Sequence, residues 1–259
     1  MNQKFILVTG GAGYIGSHTC KALHQAGFQP IVYDNLSTGH KELVQWGPLI
    51  VGDLLDQYQL EKTLLQYQPK AILHFAASAI VSESMNNPAL YYENNVRGSL
   101  SLLLAMKNTE IPHLIFSSTC ATYGNAQSLP MSESHPQLPL SPYGRSKLMI
   151  EQMIFDFEKA YGIKSAILRY FNAAGADLEG TIGENHTVET HLIPSLIQTM
   201  LGLKDFVSIY GNDFPSFDGT AIRDYIHVTD LANAHALALQ RLLSEAPSFA
   251  VNLGTGSGT

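Results

Sequence analysis

Cysteine is nearly absent: Cys20 and Cys120 are the two in 259 residues, and neither lies in a cluster with histidine. Neither a disulfide framework nor a zinc site is expected from that pattern, and no metal is expected at all. Positive charge is also scarce. Fifteen Lys and Arg against 22 Asp and Glu leave a net charge of -7, which argues against a nucleic-acid footprint or an anionic membrane surface as partner. Any phosphate binding must therefore be local. No apolar run is long enough to span a bilayer. The opening "MNQKFILVTGG" holds an apolar run of only four residues before its glycines, too short for the core of a secretory signal. A reducing, cytoplasmic location is expected. Internal repeats and low-complexity tracts are missing as well.

What is present reads as a globular α/β chain: 45% hydrophobic, 14% charged, with 21 glycines. "KFILVT", "QPIVYD", "PLIVGD", "KAILHF", "HLIFSS" and "KSAILRY" are candidate strands rich in Ile, Leu, Val and aromatics. Helix-length amphipathic stretches separate them. Apolar strands alternating with helices predict a doubly wound parallel sheet, covered on both faces, over roughly the first 170 residues. After Asn172 the pattern changes. "AAGADLEGTIGENH" reads as loop, "THLIPSLIQTMLG" as a helix interrupted early by Pro194, and "TDLANAHALALQRLL" as a long helix capped by Thr229.

"LVTGGAGYIGSH" joins the first strand to the first helix, with glycines at 10, 11, 13 and 16. Such glycines let a backbone turn tightly against a pyrophosphate seated on the helix N-terminus. Asp34 ends the second strand, about 20 residues on, where an acid binds the ribose 2′-hydroxyl. A carboxylate there repels a 2′-phosphate, so NAD is expected over NADP. Asp53 ends the third strand, either beside the adenine or as a helix cap. Small Ala76 and Ala77 follow the fourth strand, where the backbone could pass close to a cofactor; His74 within that strand reads as a core histidine. "YGRSK" places Tyr143 and Lys147 four residues apart, on one face of a helix. A neighbouring cation favours the phenolate, and "FSSTC" supplies a hydroxyl at the end of the fifth strand.

With the glycine loop, the Tyr-x-x-x-Lys pair and the hydroxyl strand end together, the chain resembles the extended short-chain dehydrogenase/reductases. "RYFNAAGAD", "THLIP" and "YGNDFPSFDGTAIRDYIHVTDLANAH" resemble the UDP-glucose 4-epimerase family within them. The resemblance runs from Lys4 to the last residue. It implies an isomerase of galactose metabolism that inverts C4 of a UDP-hexose through a 4-keto sugar, with NAD as cofactor, a UDP-sugar as substrate and a homodimer as assembly. Tyr143 would be the base, Lys147 would lower its pKa and hold the nicotinamide ribose, and Thr119 would be the catalytic hydroxyl, with Ser118 in reserve. Gly10, Gly13, Tyr14, Ile15, Gly16, Asp34, Asn35, Asp53, Leu54, Phe75, Ala76, Ala77, Asn94, Tyr143, Lys147 and Phe171 match cofactor positions. Thr119, Asn172, His191, Leu192, Tyr210 and Arg223 match UDP-sugar positions, with Tyr210 stacking on uracil and Arg223 gripping the diphosphate.

The resemblance divides the chain into an NAD-binding, Rossmann-like domain over residues 1–172 and a smaller substrate lobe over 173–259, with 220–243 packing back on the first. That lobe is expected to be incomplete, because the family continues beyond "NLGTGSGT". Two departures stand out: Ala79 replaces a lysine found in some relatives, and His191 stands where several have asparagine. A 4,6-dehydratase is the rival enzyme, but Cys120 and Ala121 stand where it needs Asp-Glu after the threonine. Related epimerases acting on UDP-N-acetylhexosamine, UDP-xylose or UDP-glucuronate remain open. A catalytically dead NAD sensor would lack Tyr143 or Lys147, and both are present.

Overall fold

The computed structural model describes residues 4–186 and 189–259. Nine strands run in chain order: β1 Phe5–Thr9, β2 Gln29–Asp34, β3 Leu49–Val51, β4 Ala71–His74, β5 His113–Thr119, β6 Lys164–Tyr170, β7 Asn172–Ala174, β8 Tyr225–His227 and β9 Phe249–Leu253. The helices are α1 Tyr14–Gln25, α2 Gln57–Tyr67, α3 Val81–Asn86, α4 Pro88–Tyr91, α5 Gly98–Asn108, α6 Pro142–Tyr161, α7 Leu192–Met200 and α8 Val228–Leu243. A turn of π-helix, Tyr92–Arg97, joins α4 to α5.

All six strands expected from the sequence form, and they pair in parallel in the order β3-β2-β1-β4-β5-β6-β9. This is the doubly wound, Rossmann-like sheet. β9 is its seventh strand, so the sheet takes an element from beyond residue 172. β7 and β8 pair in parallel as a separate two-stranded sheet.

Alternation along the strands feeds two cores. Ile6 and Val8 of β1 face Cys20 and Leu23 of α1 and Ala232, Ala236 and Leu239 of α8. Leu7, between them, faces Leu60 and Leu64 of α2, Leu102 and Met106 of α5 and Ile150 and Ile154 of α6. Each such fully buried Leu or Ile contributes about 1.5–3 kcal/mol of transfer free energy. The helix ends are closed by local chemistry. Ser141 Oγ accepts from Gly144 N at 3.1 Å, Pro142 opens α6, and Gly162 ends it at φ 74°.

Two expectations are corrected. The cap of α8 is His227, whose Nδ1 accepts from Thr229 N at 3.2 Å, so Thr229 lies inside the first turn. Pro194 does not interrupt α7. It is the third helical residue, where its missing N–H would have had no intrahelical partner.

Candidate active site

The C-terminal ends of β1 to β6 gather nearly all the residues expected to bind or react, at the edge where open α/β sheets hold ligands. The turn from β1 into α1 is held close by its glycines. A Cβ on Gly16 would sit 2.2 Å from Gly10 O, and one on Gly10 would meet Ala76 N at 2.5 Å. Gly13 caps α1 with no side-chain bond, which leaves the helix N-terminus open to an anion. Tyr14 and Ile15 begin that helix. The residues present thus fit a dinucleotide pyrophosphate.

At the end of β2 the Asp34 carboxylate accepts from Ala12 N at 3.0 Å and Leu36 N at 2.9 Å. Burial pushes its pKa up, against those two bonds. Asn35 Nδ2 donates to Asp53 Oδ2 at 2.8 Å, and Leu55 N donates to Asp53 Oδ1 at 2.8 Å. Asp53 therefore orders the loop after β3, with buried Leu54 beside it, while Asp56 is the cap of α2, accepting from Gln59 N. Phe75, Ala76 and Ala77 leave β4. His74 is a core histidine: it bonds Thr9 Oγ1 and Ser99 Oγ, each at 2.8 Å, and burial lowers its pKa to about 3.

Thr119 closes β5, and Tyr143, in the first turn of α6, lies within hydrogen-bonding reach of it. Burial drives the Tyr143 phenol far above its ordinary range, and the Thr119 hydroxyl opposes that rise. Lys147 Nζ donates to Ser117 O at 2.9 Å and lies over the Phe116 ring. Burial lowers its pKa to about 7, with Glu151 pulling the other way. In this geometry the Lys147 ammonium is engaged with β5, and desolvation dominates the Tyr143 phenol. Ser118 is removed as an alternative to Thr119. Its Oγ donates to Glu151 Oε1 at 2.5 Å, in the protein interior.

Asn94 sits in the π turn and donates to Ser78 Oγ at 3.1 Å. Phe171 and Asn172 bridge β6 to β7, and Asn172 N donates to Asp224 O at 3.0 Å. The remaining substrate candidates are more scattered. His191 caps α7 and Leu192 begins it; Arg223 is exposed, with Nη1 donating to Ile222 O at 2.8 Å. Tyr210 is 99% exposed.

Three groups escaped the sequence reading. Asn95 accepts from Ser78 N at 2.8 Å and donates to Ser146 Oγ at 3.2 Å, latching the loop after β4 to α6. Glu151 and Arg169 form a buried ion pair at 2.6 Å, which Ser118 joins through its bond to Glu151. The signal for Glu151 was its spacing, four residues beyond Lys147 on the same helix face. The third group is Glu184, His186 and Glu189, whose donor atoms converge with that of His191, already a candidate.

The NAD dependent epimerase/dehydratase family profile matches residues 6–254, and the chain belongs to that family. It is 54% identical to the UDP-glucose 4-epimerase of Rhizobium meliloti (strain 1021), over 100% of this chain and 79% of the relative. It is 47% identical to that of Lacticaseibacillus casei, over 98% and 77%. The crystal structure of UDP-glucose 4-epimerase from Brucella ovis in complex with NAD superposes with a TM-score of 0.97 at 54% identity, covering 99% of this chain and 79% of that one. The Bifidobacterium longum enzyme in complex with NAD+ and UDP gives 0.93 at 34% identity, covering 98% and 79%.

Proposed function

We propose that the chain is an NAD-dependent UDP-glucose 4-epimerase, interconverting UDP-glucose and UDP-galactose by inversion at C4. The observation that carries this is Thr119, Tyr143 and Lys147 gathered at the same C-terminal sheet edge as a glycine turn that fits a pyrophosphate. NAD, when bound, supplies a reversible two-electron acceptor. The glycine turn would hold its pyrophosphate and Asp34 the adenosine ribose, with Asn35, Asp53, Leu54, Phe75 to Ala77, Asn94 and Phe171 around it.

Tyr143 then takes the proton of the sugar 4-hydroxyl as C4 is oxidised, and returns it after the 4-keto sugar has turned its other face. Thr119 shares that proton's hydrogen bond, so the phenolate is stabilised only where the reaction needs it. Lys147, fixed on Ser117 O, would hold the nicotinamide ribose and, with the cofactor in place, favour the phenolate. Asn172, His191, Leu192, Tyr210 and Arg223 would keep the nucleotide end gripped while the sugar rotates, with Arg223 suited to a diphosphate. The relatives at 47–54% identity that carry the UDP-glucose 4-epimerase name favour this substrate over other UDP-sugars.

Tyr143→Phe removes the proton carrier with little change in volume. It should retain NAD yet lower UDP-galactose conversion by at least about 100-fold, in line with lost general acid–base catalysis. Near-normal turnover would take Tyr143 out of the chemistry.

We also infer a cytoplasmic homodimer. Exposed Met149 and Phe155 on α6, Leu100 on α5 and Met85 on α3 support the dimer. A sedimentation mass equal to one chain would refute it. Free Cys20 and Cys120 suit a reducing compartment, and export of the native protein would refute that.

A further inference from the structure

The loop between β7 and α7 is tied to the cofactor side of the molecule at several points. Tyr14 OH donates to Gly175 O at 2.5 Å, Gln45 Nε2 to Thr181 O at 3.2 Å and His40 Nε2 to Asn185 O at 2.9 Å. Lys21 pairs with Asp177 at 2.8 Å. At the far end of this tethered loop, Glu184, His186, Glu189 and His191 each present one donor atom, all within 4.8 Å of one another.

The separations within that group are informative. His186 Nδ1 stands 3.3 Å from Glu184 Oε1 and 3.6 Å from Glu189 Oε2. His191 Nδ1 touches Glu184 Oε1 and lies 3.9 Å from Glu189 Oε1. Apart from the His191–Glu184 contact, these spacings exceed the usual range of about 2.7–3.2 Å for an N–H···O bond. They run from the edge of a tetrahedron, about 3.3–3.4 Å for a centre bonded at about 2.0–2.1 Å to nitrogen and oxygen, to somewhat above it, with Glu189 offering Oε2 to His186 and Oε1 to His191.

Charge points the same way. The Glu184 and Glu189 side chains are only 8% and 4% exposed, and buried carboxylates require compensation. The nearby Lys204 ammonium donates to the Glu189 backbone carbonyl, at 3.3 Å, rather than to its carboxylate. Glu189 is further oriented by His191 N, which donates to its Oε1 at 2.7 Å. Such an outer bond is what aims a metal-ligating carboxylate.

We propose that Glu184, His186, Glu189 and His191 form a four-coordinate site for a divalent transition-metal ion of the zinc class. Two imidazoles and two carboxylates suit that ion, and four protein ligands make the site structural rather than catalytic. The ion would staple the loop feeding α7 and fix His191 at the start of that helix. The site stands independently of the epimerase reading, because its test needs no turnover.

The full chain, stripped with a chelator and dialysed, is titrated with Zn2+ against a chromophoric competitor and separately with Co2+. One equivalent of Zn2+ per chain is expected, with the strong visible bands of tetrahedral cobalt. His186→Gln and Glu189→Gln should each weaken zinc binding by about 10–100-fold or more, while His113→Gln, at the start of β5, should not. Circular dichroism checks that each variant is folded. The absence of zinc binding to the parent chain would overturn the site, leaving only imidazolium–carboxylate pairs. Equal zinc affinity in both folded variants, or only the weak spectrum of six-coordinate cobalt, would overturn it as well.

Discussion

The sheet with its helices and the segment from 175 to 222 are built on different terms. In the first, side chains from both strand faces are fully buried, and even charged groups such as Arg169 and Glu151 lie inside. In the second, Ile182 alone is buried among the described residues, while Met200, Phe206, Ile209 and Phe217 face solvent. α7 has no buried residue although its sequence is apolar. Burial holds the first region together. Polar tethers to the cofactor side, such as Lys21–Asp177 and Tyr14–Gly175, hold the second. Function is divided in the same way: the proposed proton chemistry sits on rigid elements, and much of the proposed nucleotide grip sits on the tethered loops.

Four measurements would break or sharpen that contrast. The largest effect is expected from Arg169→Met. It leaves Glu151 charged and buried, with Ser118 and Gln137 as its remaining partners, and should cost about 3–5 kcal/mol in urea unfolding. Next is Leu239→Ala on α8, a fully buried contact with β1's face of the sheet; about 2–5 kcal/mol is expected. A loss under about 1 kcal/mol would mean that α8 is peripheral to the core.

A third measurement is stability against pH in protein stripped of NAD. Lys147 has its folded pKa lowered to about 7, first by burial, whereas an unfolded lysine titrates near 10.4. Between those values the unfolded chain binds the extra proton, so stability should rise with pH across that window. Below about 7 both states are charged and Lys147 adds no slope. Above about 10 the raised Tyr143 phenol reverses the trend, since only the unfolded chain readily ionises there. Lys147→Met should flatten the rise; an unchanged slope would show that Lys147 stays protonated in the fold. The smallest effect belongs to Ile209→Ser, 82% exposed in the parent chain. It should change stability by less than about 0.5 kcal/mol, and a loss of several would place Ile209 in a packed core.

The contrast also explains what the sequence disclosed. Strands β1 to β6 were legible because parallel strands buried on both faces are written as continuous apolar runs. The glycine turn, Asp34 and the Tyr143–Lys147 pair were legible because chemistry constrains both residue type and spacing. β7, the triplet Asn172–Ala174, has no apolar pattern to read. The direction of Tyr143's pKa could not be read either, since it depends on how far α6 is desolvated against β5 rather than on spacing along the helix. "AAGADLEGTIGENH" reads as loop by composition; only the structure shows donor atoms of Glu184, His186, Glu189 and His191 within 4.8 Å of one another.

β9 has a consequence for how the chain assembles. Its hydrogen-bonded neighbour β6 lies far back in the sequence: Ser165 N donates to Ser248 Oγ across 83 positions. Closing a flexible loop of that length costs about 4 kcal/mol of chain entropy before any strand contact forms. α8 removes most of that cost once it has docked on α1, because only residues 244–248 separate its end from β9. With α8 in place, the last seam of the sheet becomes a local event.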